Sequence, residues 1–91
     1  MPLLITTKSY ERQLAVFIQK HPEMRESYAR TIRLLEVDPH HPSLRLHKLK
    51  GKLREFSSVS INLKYRIMID FILHDDRIIL IAIGSHEELR M

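Results

Sequence analysis

Residues 65–73 read "YRIMIDFIL", and the register of this run decides what the rest of the chain must be. Tyr65, Ile67, Ile69, Phe71 and Leu73 fall on one side of an extended chain, and Arg66, Met68, Asp70 and Ile72 on the other. Such alternation is the period of a β-strand and not of a helix. Just after it, "HDD" (74–76) is a turn, and "RIILIAI" (77–83) is an almost continuous apolar strand suited to the centre of a sheet. Just before it, "FSSVSINL" (56–63), rich in serine and β-branched residues, suits a half-buried strand. "GSHEELRM" (84–91) closes the chain as a loop or short tail.

The first half has a different period. Tyr10, Leu14, Phe17 and Ile18 make one stripe of an amphipathic helix that Thr7 or Ser9 can cap. Pro22 in "KHPEM" (20–24) disfavours helical geometry at His21 and suits the first turn of a second helix. Met24, Tyr28, Ile32 and Leu35 form the stripe of that helix, and "VDPHHP" (37–42) ends it in a loop. "LLIT" (3–6) is an edge strand. The order is β-α-α-β-β-β, an α+β class. An N-terminal strand and a helical hairpin precede a three-stranded antiparallel meander, and the hairpin covers one sheet face. The other face is expected to be partly open, with Arg66 on it.

The bulk numbers set limits. Ninety-one residues, 44% of them hydrophobic, make a single domain over 1–91. Cysteine is absent, which excludes disulfides and thiolate chemistry and fits a reducing cytoplasm. No segment has the roughly 18 apolar residues of a membrane span, and the start does not read as a signal peptide. A net charge of +4 and a pI near 9.7 favour polyanionic or acidic partners.

The charge is concentrated. "LRLHKLKGKLR" (44–54) nearly alternates apolar and cationic residues up to Gly51, and Lys64 and Arg66 add to the same excess. Gly51 reads as a turn, with Leu49 and Leu53 anchoring its sides and Lys48, Lys50 and Lys52 facing outward. Within this field of cations, His47 is favoured as a neutral imidazole that can accept a hydroxyl proton. Arg66 can stabilise charge on a phosphoryl oxygen, and His86, after the last strand, can donate a proton. Each has a plainer reading: a loop side chain, an ion-pair partner of Asp70 and a hydrogen-bonded terminus. Asp38, His40 and His41 lie close together, but adjacent loop histidines rarely meet one ion, so no metal site is expected. His21 and His74 read as structural turn residues.

"LHKLKGKLREFSSVSINLKYRIMIDF" (46–71) followed by "IGSHEEL" (83–89) resembles the RelE/ParE superfamily of toxin–antitoxin toxins, in its RelE/StbE and YafQ-like messenger-RNA interferase branch. The resemblance spans essentially the whole chain. It implies a cytoplasmic, metal- and cofactor-independent endoribonuclease that cleaves messenger RNA on the ribosome by 2′-hydroxyl attack. It also implies neutralisation by a cognate antitoxin in a hetero-oligomer. By position it makes His47 the base, Arg66 the phosphate-stabilising cation and His86 the C-terminal catalytic histidine. Lys48, Lys50, Lys52, Arg54 and Lys64 would hold the nucleic acid, and Tyr65 would contact a base. The sequence departs from the pattern where relatives carry an arginine or histidine (Ser60), an acid (Lys64) and an arginine (Ala82). "FSSVS" also lacks the tryptophan that precedes the serine in relatives, and "EELRM" has no terminal Tyr or Phe after the histidine. Two other expectations remain open: a ParE-type gyrase inhibitor without nuclease activity, and a weakened toxin kept for antitoxin binding.

Overall fold

The computed structural model describes residues 1–72 and 75–90. The strands are β1 (Leu3–Thr6), β2 (His47–Lys48), β3 (Ser57–Ser60), β4 (Tyr65–Ile72) and β5 (Arg77–Ser85), and the helices are α1 (Lys8–Lys20) and α2 (Arg25–Val37). One five-stranded sheet has the order β1-β5-β4-β3-β2. β1 runs parallel to β5, and the other pairs are antiparallel. The expected strand, helical hairpin and meander are therefore present, and the two-residue β2 extends one edge. β5 is interior, but β4 holds the middle place expected for "RIILIAI". Gly84 and Ser85, read as part of a tail, extend β5. Leu73 and His74, assigned above to a strand end and a turn, lie outside the described residues.

Local chemistry explains the helix ends. Thr7 caps α1, its side chain accepting from the Tyr10 backbone N–H at 3.0 Å. Pro22 opens a 3-10 turn (Pro22–Met24) that leads into α2, so Met24 precedes that helix. The two helices are tied by a 2.8 Å bond between the Tyr10 and Tyr28 hydroxyls. Burial, and then the neighbouring Tyr28, push the Tyr10 phenol upward, so the bond joins two neutral groups.

The core lies between the helices and one face of the sheet. Tyr10, Phe17, Leu35, Val59, Tyr65, Ile67, Ile69, Ile78, Leu80 and Ile83 belong to a single buried cluster. On β5 the buried positions step by two from Ile78 to Leu80 and then by three to Ile83, because Ile81 is passed over where Met68 pairs with Ala82 and Ile69 with Leu80. This bulge reverses the phase of the strand. It sets Gly84 opposite Arg66 and Ser85 opposite Tyr65. Ile69 is fully buried in the middle strand. Ile69→Ala should lower unfolding free energy by about 2–5 kcal/mol in a urea titration. A loss under about 1 kcal/mol would mean that the site collapses around the smaller side chain.

Candidate active site

The basic run enters the sheet through a tight path. A 3-10 turn (Pro42–Leu44) ends at Arg45, which is left-handed at φ 48°, and Leu44 is buried beneath it. Left-handed backbone is costly for a residue with a Cβ, so packing on both sides must hold Arg45 there. β2 then pairs His47 with Ser58 and Lys48 with Ser57. Gly51, at φ 66°, opens a second 3-10 turn (Gly51–Leu53), a conformation that favours glycine. Leu49 is buried and Leu53 half-buried, while Lys48, Lys50 and Lys52 are exposed, as their alternation predicts.

His47 and His86 meet on one groove of about 560 Å³, lined also by Lys48, Leu49, Lys50, Lys52, Leu53 and Arg90. Arg66 is outside that lining but reaches its rim, with Nη2 3.3 Å from Nδ1 of His47. The guanidinium is held at two points: Nε donates to Ser58 Oγ at 2.9 Å, and Nη2 donates to the Arg45 carbonyl at 3.2 Å. Neither bond uses Nη1, whose two N–H groups have no partner among the described residues and can serve an anion. Burial, and then the charge of Arg45, push the Arg66 guanidinium below its usual range, although arginine remains a cation at neutral pH. Ion pairing with Asp70, the plainer reading of Arg66, does not occur among the described residues.

The tautomer of His47 decides what its ring can do. Nδ1 also lies 3.3 Å from the Arg45 carbonyl. The tautomer that donates Nδ1–H to this carbonyl leaves Nε2 bare, as a proton acceptor must be. The alternative tautomer accepts from Arg66 and carries its proton on Nε2.

Not every expected residue joins the groove. Arg54 is exposed at the end of its turn and lies outside the lining. Lys64 shares a neighbouring hollow with Leu63, Ser85, His86 and Glu87. Tyr65 points into the core, 8% exposed, with its ring 5.0 Å from Phe17 and 4.9 Å from His21. It shares the face of Ile67 and Ile69, and so it has no surface on which to stack a base. Ser60 is buried, donates to the Asn62 carbonyl and lines a small cavity beside α2 rather than the groove. No cluster of three or more metal-ligating side chains is found among the described residues, and Asp38, His40 and His41 form none.

Three groups that build the site have no counterpart in the sequence analysis: Ser58 and the Arg45 carbonyl, which hold Arg66, and Arg90, which lines the groove. The serine-rich strand hinted at the first. Nothing local indicates that a backbone carbonyl will serve two side chains. A second cavity, about 360 Å³, lies along α1 and the end of β5 and includes Arg12, Lys20 and Glu88. It contains none of His47, Arg66 or His86.

No protein-family model matches the sequence, and neither does any curated protein. Solved structures do match. YafQ from Escherichia coli superposes with a TM-score of 0.80 at 11% identity, covering 98% of each chain. A YoeB/ParE toxin from Agrobacterium tumefaciens gives 0.74 at 20% identity, over 92% of this chain and 98% of that one. The fold is that of the RelE-superfamily toxins. A metal-bound toxin from Helicobacter pylori also shares it, with a TM-score of 0.75 at 22% identity over 98% of this chain and 99% of that one. Among these RelE-like structures, YafQ is also known in a toxin–antitoxin complex with DinJ. No helix of the described residues is long and apolar enough to cross a membrane.

Proposed function

We propose that this RelE-like chain is the toxin of a type II toxin–antitoxin module, a ribosome-dependent endoribonuclease neutralised by a cognate antitoxin. The observation that carries this reading is the placement of His47 and His86 on one lysine-lined groove, with Arg66 at its rim. His47 takes the proton of a 2′-hydroxyl, whose oxygen attacks the adjacent phosphorus. Arg66 and the lysines stabilise the phosphorane charge. The bond from phosphorus to the 5′-oxygen then breaks, and His86 gives that oxygen its proton. The products are a 2′,3′-cyclic phosphate and a 5′-hydroxyl. Metal plays no part in this scheme. The single domain spans residues 1–91, and an acidic antitoxin segment would compete with RNA for the lysines.

Primer extension on translated messenger RNA tests the reading. Discrete breaks are expected within minutes of induction, and their absence at toxic doses removes it. A second reading has its own support: Ser60 lines a cavity beside α2, and Lys64 shares a hollow with His86 outside the groove of His47, so two positions that carry an ionisable group in relatives put none into that groove here. A weakened toxin kept for antitoxin binding would bind its partner but leave growth unchanged when expressed alone. A ParE-type gyrase inhibitor would arrest growth, leave RNA intact and block supercoiling.

A further inference from the structure

His86 is exposed and follows directly on the last strand, so something must keep its ring at the groove. Residues 85–88 read "SHEE", the Ser-x-x-Glu spacing of a capping box. Both reciprocal bonds are made. The Ser85 backbone N–H donates to Glu88 Oε1 at 2.8 Å, and the Glu88 backbone N–H donates to Ser85 Oγ at 3.1 Å. The turn is completed by the Leu89 N–H, which donates to the Ser85 carbonyl at 3.0 Å, and by the Arg90 N–H, which donates to the Glu87 carbonyl at 3.1 Å. His86 is thus the first residue inside a single hydrogen-bonded turn, which Arg90, the other groove residue from this segment, ends in left-handed backbone at φ 56°.

One such turn is unstable by itself, because helix nucleation fixes several residues for very few hydrogen bonds. Here the turn is anchored to the sheet. Glu88 lies so close over Gly84 that a Cβ on Gly84 would stand 3.1 Å from Oε1. Hydrogen bonding from Ser85, its backbone first and its hydroxyl second, holds the Glu88 carboxyl below its usual range, and Lys20 and His21 add to this. Glu88 also closes the sheet edge. The N–H of Ile83 is taken by Gln13 Oε1 at 3.2 Å, and that of Ser85, two residues on, by Glu88. The two side chains therefore satisfy successive same-side donors on the part of β5 that extends past β1.

We propose that Ser85 and Glu88 are positioning residues, whose reciprocal capping box holds His86, and with it Arg90, against the groove. The inference rests on the reading of His86 as the proton donor, because only then does its placement govern rate. Glu88 is exposed, so its replacement is expected to leave the fold intact. The test uses the full chain in two arms. The first measures backbone ¹⁵N heteronuclear NOEs at His86 and Leu89, which need no activity. The second measures cleavage of messenger RNA on programmed ribosomes.

With Glu88→Ala, the NOEs should fall toward those of a frayed terminus. Cleavage should slow by roughly five- to tenfold in kcat with KM unchanged. Glu88→Gln keeps the box acceptor and should restore both readouts, a rescue that general destabilisation would not give. If Glu88→Ala leaves His86 ordered, or leaves the cleavage rate of an active wild type unchanged, the proposal is overturned. If the wild type does not cleave at all, the nuclease reading fails and so does the rate-governing role. The NOE arm then separately decides whether the box holds His86.

Discussion

Arg66→Ala should slow single-turnover cleavage on the ribosome about 100- to 1,000-fold, the scale expected when a preorganised donor to developing charge is lost. The size of the effect follows from how the guanidinium is held. Its Nε bond to Ser58 and Nη2 bond to the Arg45 carbonyl fix it before substrate arrives, and Nη1 has no partner among the described residues. The substitution also orphans the fully buried Ser58 hydroxyl, so a loss of about 1–3 kcal/mol in stability should accompany it. Arg66→Lys separates the two effects. It keeps a charge but not the planar fork, so it should recover little of the rate. Thermal unfolding measured beside the kinetics gives the folded fraction for each variant. Wild-type cleavage by Arg66→Ala would remove Arg66 from the mechanism.

The two histidines should show the next largest effect. His47→Ala and His86→Gln are each expected to cost about 100-fold or more in rate, in the range of general acid–base catalysis. Because the proposed base and acid serve one displacement, the double variant should be much faster than the product of the single losses allows. The pH profile assigns the roles. A base must be unprotonated and an acid protonated, so the rate should rise with pH through the first group and fall through the second. His47→Ala should flatten the rising limb and His86→Gln the falling one. A His86→Gln profile with both limbs intact would show that another group protonates the leaving oxygen. Arg90, which lines the same groove, should have no effect on either limb.

Much of the architecture was legible because each half of the chain keeps a period. The stripe at Tyr10, Leu14, Phe17 and Ile18 and the alternation at 65–72 each admit one kind of element. The outward lysines were legible for the same reason, since Leu49 and Leu53 set the phase around Gly51. Tyr65 shows what happens when the period is set aside. Its alternation already grouped it with Ile67 and Ile69, and the core is where it lies. The expectation that it meets a base came from resemblance and not from its position in the strand. The supports of Arg66 were hidden for another reason. A carbonyl turned by a left-handed arginine leaves no mark in the side-chain pattern.

By itself the sequence determined the two periods, the order of elements and the placing of cations around one glycine. These are local, because each depends on side chains within a turn or a few pleats of one another. Only the tertiary structure decided that His86 shares a groove with His47. "RIILIAI" is apolar at nearly every position, so it carries no alternation to say which residues face which way. The bulge at Ile81 makes that choice by reversing the strand's phase as β5 pairs with β4. It turns Ile83 into the core and sets Gly84 opposite Arg66, and from there the Ser85–Glu88 turn carries His86 to the groove.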